Sequence, residues 1–324
     1  MMEQLRTYLY NSNKVLVVSH RNPDGDAVSA LIAMGRALEK IGKAVSLYNE
    51  STIPAVYRFL SGVERITASI DPNEAFDTAV ILDCASLERI GESVDRIGRI
   101  PTLINIDHHA TNPGFGHVNY VDSKACATTE LIYRLIKELT IAFDVPIARA
   151  IYTGILTDTG SFRFSNTNPA AFAICAEMTQ LGINPYEIAQ HVYGTYSLGR
   201  IKLLNLALDS IEISKNGKMS IMTITQAMLK QTGTNSEDAD GLINYARRIE
   251  DVKVAALIQE LRNGEDIATV PQRCHISLRS DGSVNVADIA TAYGGGGHNT
   301  AAGFGLEGSI PEVKTEVVKM AENL

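Results

Sequence analysis

The chain has no long apolar run. Its longest, such as Ala79-Val80-Ile81-Leu82, fall far short of the ~20 residues that a membrane-spanning helix needs. The start, Met1-Met2-Glu3-Gln4-Leu5-Arg6, lacks the basic-then-apolar layout of a signal peptide, so a cytoplasmic protein without membrane partners is expected. Cysteine is scarce. Cys84, Cys126, Cys175 and Cys274 stand apart with no C-x-x-C spacing, which disfavours a disulfide framework and structural zinc. The first three lie in apolar or small-residue patterns, where a thiol packs as a small hydrophobe. Positive charge is also lacking: the formal net charge is −8 at pH 7. Proteins that grip long duplex nucleic acid present a basic stripe. None is visible, so long duplexes are excluded as partners. A small phosphorylated substrate is not excluded, because bound cations would offset part of the negative charge. Internal repeats and low-complexity segments are absent.

What is present is ordinary globular composition, 45% hydrophobic and 20% charged, in 324 residues, enough for two domains with real cores. In the first half, β-branched runs alternate with amphipathic patterns. Strands are expected at 14–19, 45–48, 79–82 and 102–106, and helices at 27–41, 124–139, 146–157 and 168–181. Runs this apolar, separated by helices, predict an α/β fold with a doubly wound, mostly parallel sheet. After about residue 195 the character changes. One amphipathic helix over 197–208 is followed by hairpin signals around Asn216-Gly217, further strands at 252–259 and 274–279, and turns at Asn263-Gly264 and Asp281-Gly282. This predicts a smaller mixed α+β domain. The expected division is residues 1–195, a linker helix over 196–209 that is also a candidate homodimer surface, and residues 210–324.

Five clusters rich in acid, histidine or glycine end apolar runs: His20-Arg21-Asn22-Pro23-Asp24-Gly25-Asp26, Asp83, Asp107-His108-His109, Asp158, and Gly294-Gly295-Gly296-Gly297-His298. Carboxylates resist desolvation and repel one another, so gathering several costs stability unless cations neutralise them. His20, Asp83 and Asp107 follow predicted strands and would share the carboxyl rim of the sheet, where doubly wound folds bind ligands. Pro23 and Gly25 are expected to keep 20–26 irregular. Asp158 ends a predicted helix and must reach the rim from the side. Mixed imidazole and carboxylate donors suit Mn²⁺, with Mg²⁺ or Co²⁺ as alternatives. Two such ions would clamp a phosphoryl group, which makes phosphate-ester hydrolysis the leading expectation. Asp83, alone on its strand end, is the candidate bridge between the ions.

Blander readings compete. A lone Asp after a strand is usually a cap, and a glycine run is usually a turn. Followed by His298 and the small residues 299–303, which could start a helix, the glycines become a candidate phosphate cradle. Arg279, on a predicted strand, would fork onto a terminal phosphate. Arg163 is an additional phosphate candidate, for which a salt bridge is an equal explanation. His117, His191 and His275 have no such company and receive no role; a solvated helix face explains Arg247-Arg248.

The first three clusters, with Gly154-Ile155-Leu156-Thr157-Asp158-Thr159-Gly160, resemble the four motifs of the DHH phosphoesterase superfamily. Ser277-Leu278-Arg279-Ser280 and Gly294 to His298 resemble the DHH-associated substrate-binding domain, and the combination resembles the bifunctional oligoribonuclease and pAp phosphatase group. The resemblance implies His20, Asp24 and Asp83 around one divalent ion and Asp26, Asp83, His108 and Asp158 around another. It further implies His109 facing the substrate phosphate, Asp107 orienting a neighbouring histidine, and Arg279, Gly295, Gly296, Gly297 and His298 gripping the substrate. It carries an expected activity: a hydroxide held by the ions attacks phosphorus in nanoRNA, linear dinucleotides or 3′-phosphoadenosine 5′-phosphate. A family II inorganic pyrophosphatase would have a different C-terminal domain, and a RecJ-type exonuclease a longer chain. A non-catalytic nucleotide sensor would be expected to have lost some of these ligands.

Overall fold

The computed structural model describes residues 2–194, 196–261 and 272–322, so the turn expected at Asn263-Gly264 lies outside the described residues. The chain divides into two compact units, Met1–Thr195 and Tyr196–Leu324.

The first unit carries strands β1 (Lys14–Ser19), β2 (Ala44–Tyr48), β3 (Ile66–Thr67), β4 (Thr78–Leu82), β5 (Thr102–Asp107) and β6 (Val118–Val121). Its helices are α1 (Met2–Asn11), α2 (Gly25–Lys40), α3 (Val94–Ile97), α4 (Thr128–Glu138), α5 (Val145–Asp158), α6 (Pro169–Gln180) and α7 (Pro185–Ala189). Among the described residues the sheet runs β3-β2-β1-β4-β5-β6, with every pairing parallel. Alternation along each strand feeds two cores. Val15, Val17, Val80, Leu82, Ile104 and Ile106 pack under the helices, while Leu16, Val18, Ala79, Ile81 and Leu103 face a smaller cluster. The strand order reverses between β1 and β4, so a crevice opens beyond their carboxyl ends. His20 follows β1 and Asp83 follows β4.

The expected strands are all found. In this unit sequence reading missed the helices α1, α3 and α7, the two-residue edge strand β3 and the strand β6. Two helix starts differ from expectation. The segment 20–26 does not stay irregular to its end. Asp24 caps α2, its carboxylate accepting from the Ala27 N–H at 3.0 Å, so the helix begins at Gly25 and Asp26 lies in its first turn. Gly25 is required there because a Cβ would fall on the Thr157 side chain of α5. Helix α4 begins at Thr128 rather than Lys124, after an extended Ala127 that supplies no side-chain cap.

The second unit contains α8 (Leu198–Asp209), β7 (Glu212–Ile213), β8 (Met219–Ile224), α9 (Gln226–Thr232), α10 (Ile243–Arg247), β9 (Val254–Glu260), β10 (Arg273–Ser280), α11 (Val286–Ala292), β11 (Gly296–His298), β12 (Ala301–Glu307) and α12 (Ile310–Ala321). Its described strands form a mixed sheet, β11-β12-β10-β9-β8-β7, in which only β8 and β9 are parallel. Helix α8 packs through Leu203 and Ala207 into the core formed with Met222, Ile224 and Leu257. The expectation that 299–303 starts a helix is wrong: Asn299 and Thr300 turn, and Ala301 begins β12. The glycine run therefore leads into a two-stranded edge, not onto a helix N-terminus.

Candidate metal centre

Two turns and one helix start bring the acidic clusters together at the crevice. Asp83 leaves β4 with a left-handed φ of +56°, while its N–H still donates to the Ile106 carbonyl at 3.0 Å. Aspartate tolerates this conformation better than most residues. Here it turns the carboxylate away from the sheet's alternation and toward His20, His108 and His109. His20, Asp24 and Asp83 bring one donor atom each within 4.8 Å of one another, and so do Asp26, Asp83 and His108. Asp83 belongs to both groups and divides itself between them. Its Oδ2 lies 3.5 Å from His20 Nε2, and its Oδ1 lies 3.7 Å from His108 Nε2. Asp158, the last residue of α5, does reach the rim, with Oδ2 3.5 Å from His108 Nε2.

The histidine tautomers follow from their neighbours. Nδ1 of His20 lies 2.9 Å from the Arg21 carbonyl, and Nδ1 of His108 lies 3.2 Å from the Ala125 carbonyl. Carbonyls only accept, so both Nδ1 atoms carry the proton and both Nε2 atoms are left facing carboxylates. Those 3.5–3.7 Å separations exceed a good hydrogen bond. In the neutral ring a lone pair confronts an anion, an arrangement that a proton or a shared cation must relieve. The donor set therefore fits divalent cations, with no thiolate among the donors.

The electrostatics agree. Burial lifts Asp26, Asp83's charge adds to the effect, and its carboxyl is pushed up to about 7. Burial likewise holds Asp158 well above the usual carboxylate range, against the pull of His108. Burial alone would depress His108, but Asp158, Asp83 and Asp26 outweigh it and raise the ring to about 10. Burial is the largest influence on His20 and would depress it, but Asp83 and Asp24 together outweigh burial and Arg89 and raise the ring. Asp83 goes the other way: despite its burial, the surrounding imidazoles hold it well below the ordinary range. Protons thus occupy a cluster whose excess negative charge a fixed divalent cation would balance.

Asp107 is spent differently. Its Oδ1 accepts from His109 Nδ1 at 2.7 Å and from the His108 N–H at 2.9 Å, and its Oδ2 accepts from Asn112 Nδ2 at 2.6 Å. It therefore orients His109, the role the resemblance implies, and also caps the turn. Asn112 also reaches the Cys84 carbonyl and Asn105 Oδ1. Asn166 Nδ2 pins Asp158 Oδ2 at 3.0 Å, and Thr129 donates to Asp26 Oδ1 through both its N–H and its hydroxyl. Sequence reasoning missed Asn112, Asn166 and Thr129, which carry no motif of their own. Arg89 was also missed; its charge lies close enough to oppose protonation of His20. Arg163 is exposed and commits its Nε to the Gly160 carbonyl at 2.6 Å. His117 Nδ1 accepts from the Leu103 N–H, and His191 stacks on Phe59, so neither joins the centre. All four cysteines are free and buried.

In the second unit, sheet register aligns the remaining residues. Arg279 of β10 and His298 of β11 both pair with Ala301 of β12, so the two stand on one face with a small side chain between them. Ser277 and Gly296 flank Gly303 in the same way, and His275 pairs with Gly305. A Cβ on Gly303 would meet the His275 ring at 3.1 Å, so His275, given no role from sequence, lies on this small-residue floor. The glycines are not equivalent. A Cβ on Gly295 or Gly297 would collide with the β12 backbone, whereas one on Gly296 meets nothing within 4 Å.

Comparison with known proteins agrees with this layout. Residues 14–155 match the DHH family, N-terminal domain, and residues 217–324 match the DHHA1 domain. The chain is 32% identical over 295 residues to the bifunctional oligoribonuclease and PAP phosphatase NrnA of Thermus thermophilus, covering 91% of this chain and 84% of that protein. It is 27% identical over 313 residues to the protein of the same name from Bacillus subtilis, covering 94% and 92%. An exopolyphosphatase-related protein from Bacteroides fragilis superposes with a TM-score of 0.86 at 26% identity, covering 98% of this chain and 95% of that one. This chain is thus a member of the DHH family of phosphoesterases, a DHH domain followed by a DHHA1 domain.

Proposed function

We propose that the protein is a manganese-dependent phosphoesterase that hydrolyses short oligoribonucleotides and linear dinucleotides to mononucleotides and removes the 3′-phosphate of 3′-phosphoadenosine 5′-phosphate. The observation that carries this reading is the division of Asp83 between two donor groups, one oxygen toward His20 and the other toward His108. Similarity to the Thermus protein named for both activities supports the choice of substrates.

In this reading residues 1–195 are catalytic, 210–324 bind substrate and α8 links them. His20, Asp24 and Asp83 hold one ion, and Asp26, Asp83, His108 and Asp158 the other. Two divalent cations in such a site supply a nucleophile at neutral pH and offset charge on the phosphoryl oxygens. The chain's own residues do the rest. Asp107 fixes the proton of His109 on Nδ1, leaving Nε2 to carry a second proton to the sugar oxygen as its bond to phosphorus breaks. Arg279 forks onto the terminal phosphate. His298 and the backbone at Gly296 bound the substrate on the other side of Ala301, with Gly295 and Gly297 shaping that edge and Arg163 adding a further cation.

Product release from a labelled RNA dinucleotide and from 3′-phosphoadenosine 5′-phosphate, with Mn²⁺ and with chelator, tests the proposal. Mononucleotide from both, lost on chelation, is expected. Silence on both with Mn²⁺ present would overturn it.

A further inference from the structure

The carboxylates that would hold the second cation are not free to choose how they bind it, because the first residue of α4 occupies part of each. The Thr128 N–H donates to Asp26 Oδ2 at 2.6 Å, and the Thr128 hydroxyl donates to Asp83 Oδ1 at 2.9 Å. One buried residue, fully enclosed, thus ties together two carboxylates that come from α2 and from the end of β4.

Counting acceptor sites shows what this does. An ionised carboxylate offers about four, two on each oxygen. On Asp26, Oδ1 is filled by the N–H and hydroxyl of Thr129, and Thr128 takes one site of Oδ2. A single site remains, on Oδ2, so Asp26 can hold a cation through one oxygen only. On Asp83, Thr128 takes one site of Oδ1 and leaves one on that oxygen, on the side of His108, while Oδ2 faces His20.

We infer that Thr128 is a positioning residue that sets the denticity of this centre: by fixing Oδ1 of Asp83 it forces that carboxylate to bridge the two donor groups instead of closing on a single cation with both oxygens. The inference rests on the metal-centre reading above. Its physical content is that a carboxylate held by a hydroxyl on one oxygen cannot swing that oxygen toward the opposite group without breaking a buried hydrogen bond. Without the hydroxyl, Asp83 can rotate and chelate one ion, at the expense of the other.

The test is Mn²⁺ binding, followed by the loss of the free-ion electron paramagnetic resonance signal and by the appearance of a spin-coupled pair. The variants are Thr128→Val, which keeps the β-branched shape, Thr128→Ala, which removes the hydroxyl with no apolar replacement, and Thr128→Ser, which retains the hydroxyl. Wild type and Thr128→Ser should bind two ions and show the coupled signal. Thr128→Val and Thr128→Ala should bind the first ion normally and the second about 10–100-fold more weakly, the range found for groups that support metal ligands. Two ions bound with wild-type affinity in either folded hydroxyl-free variant would overturn the inference. So would loss of the pair in Thr128→Ser. Failure of the wild type itself to bind two ions would instead strike the metal-centre reading.

Discussion

His108 Nε2 lies 3.5 Å from Oδ2 of Asp158 and so joins the turn after β5 to the last residue of α5. A carboxylate at a helix carboxyl terminus sits at the negative end of the backbone dipole, an unfavourable place by about 0.3–1 kcal/mol. Here it is also buried among other acids. Only a neighbouring positive charge makes the position tolerable, and the source of that charge can be exchanged.

That exchange predicts opposite pH responses with and without metal. In chelator, Asp26 titrates near 7 against an unfolded value near 3.8, Asp158 is raised as well, and His108 titrates near 10 against 6.5. Each group binds protons more tightly folded than unfolded. Asp26 and Asp158 therefore favour folding fully below about pH 3.8 and lose that contribution as pH rises; for Asp26 the loss is complete above about 7. The His108 contribution holds to about pH 6.5 and is lost toward 10. Asp83, depressed, acts in the opposite sense, its contribution being lost only as pH falls below the ordinary carboxylate range. Melting temperature in chelator should fall from pH 5 to 8. Mn²⁺ displaces these protons, so its affinity should rise by roughly tenfold per pH unit for each proton released. Equal melting slopes with and without Mn²⁺ would refute the exchange.

Asp83→Asn should lower turnover on the order of 10³-fold or more while leaving the protein folded, because asparagine accepts the left-handed backbone at +56°. Asp83→Ala should be equally inactive but less stable by about 1 kcal/mol, since alanine resists that conformation. Circular dichroism melts beside kcat measurements separate the two effects. Appreciable turnover in Asp83→Asn would sink the bridging role.

Asn112 holds Asp107, which holds His109. Asn112→Ala should therefore reduce kcat by about 10–100-fold with the Mn²⁺ stoichiometry unchanged. Loss of metal in this variant would mean that Asn112 supports the ion ligands and not the orientation of His109.

In the second unit, Gly296→Ala and Gly297→Ala should part company. A side chain at Gly297 strikes the Ala301 carbonyl and must pry β11 from β12, whereas one at Gly296 projects into open space. The Gly297 variant should lose stability. The Gly296 variant should melt normally and show a raised KM for the dinucleotide. An unchanged KM would remove this backbone from the substrate site.

Arg279→Ala should act on KM more than on kcat, because Arg279 lies in the second unit while the acidic centre is built entirely from the first. A loss confined to kcat would place the arginine at the reacting phosphate instead.

Sequence alone determined the parallel sheet and the strand-end positions of the acids. Both follow from local pattern: apolar runs as in β1 and β4, each ended by a polar residue. The ligand candidates were legible for the same reason, since His20, Asp24 and Asp26 are neighbours in the chain, as are Asp107, His108 and His109. Tertiary structure decided what holds them. The residue that caps α4 comes from α2, 102 positions earlier, so no local signal could mark Thr128 as its partner or set the helix start at Thr128. Likewise the small residues 299–303 suit a helix or a tight strand, and it was pairing with β10 and the glycines of β11 that chose the strand. Helix capping and strand pairing across long sequence separations depend on which surfaces meet, and that is fixed only when the chain has folded.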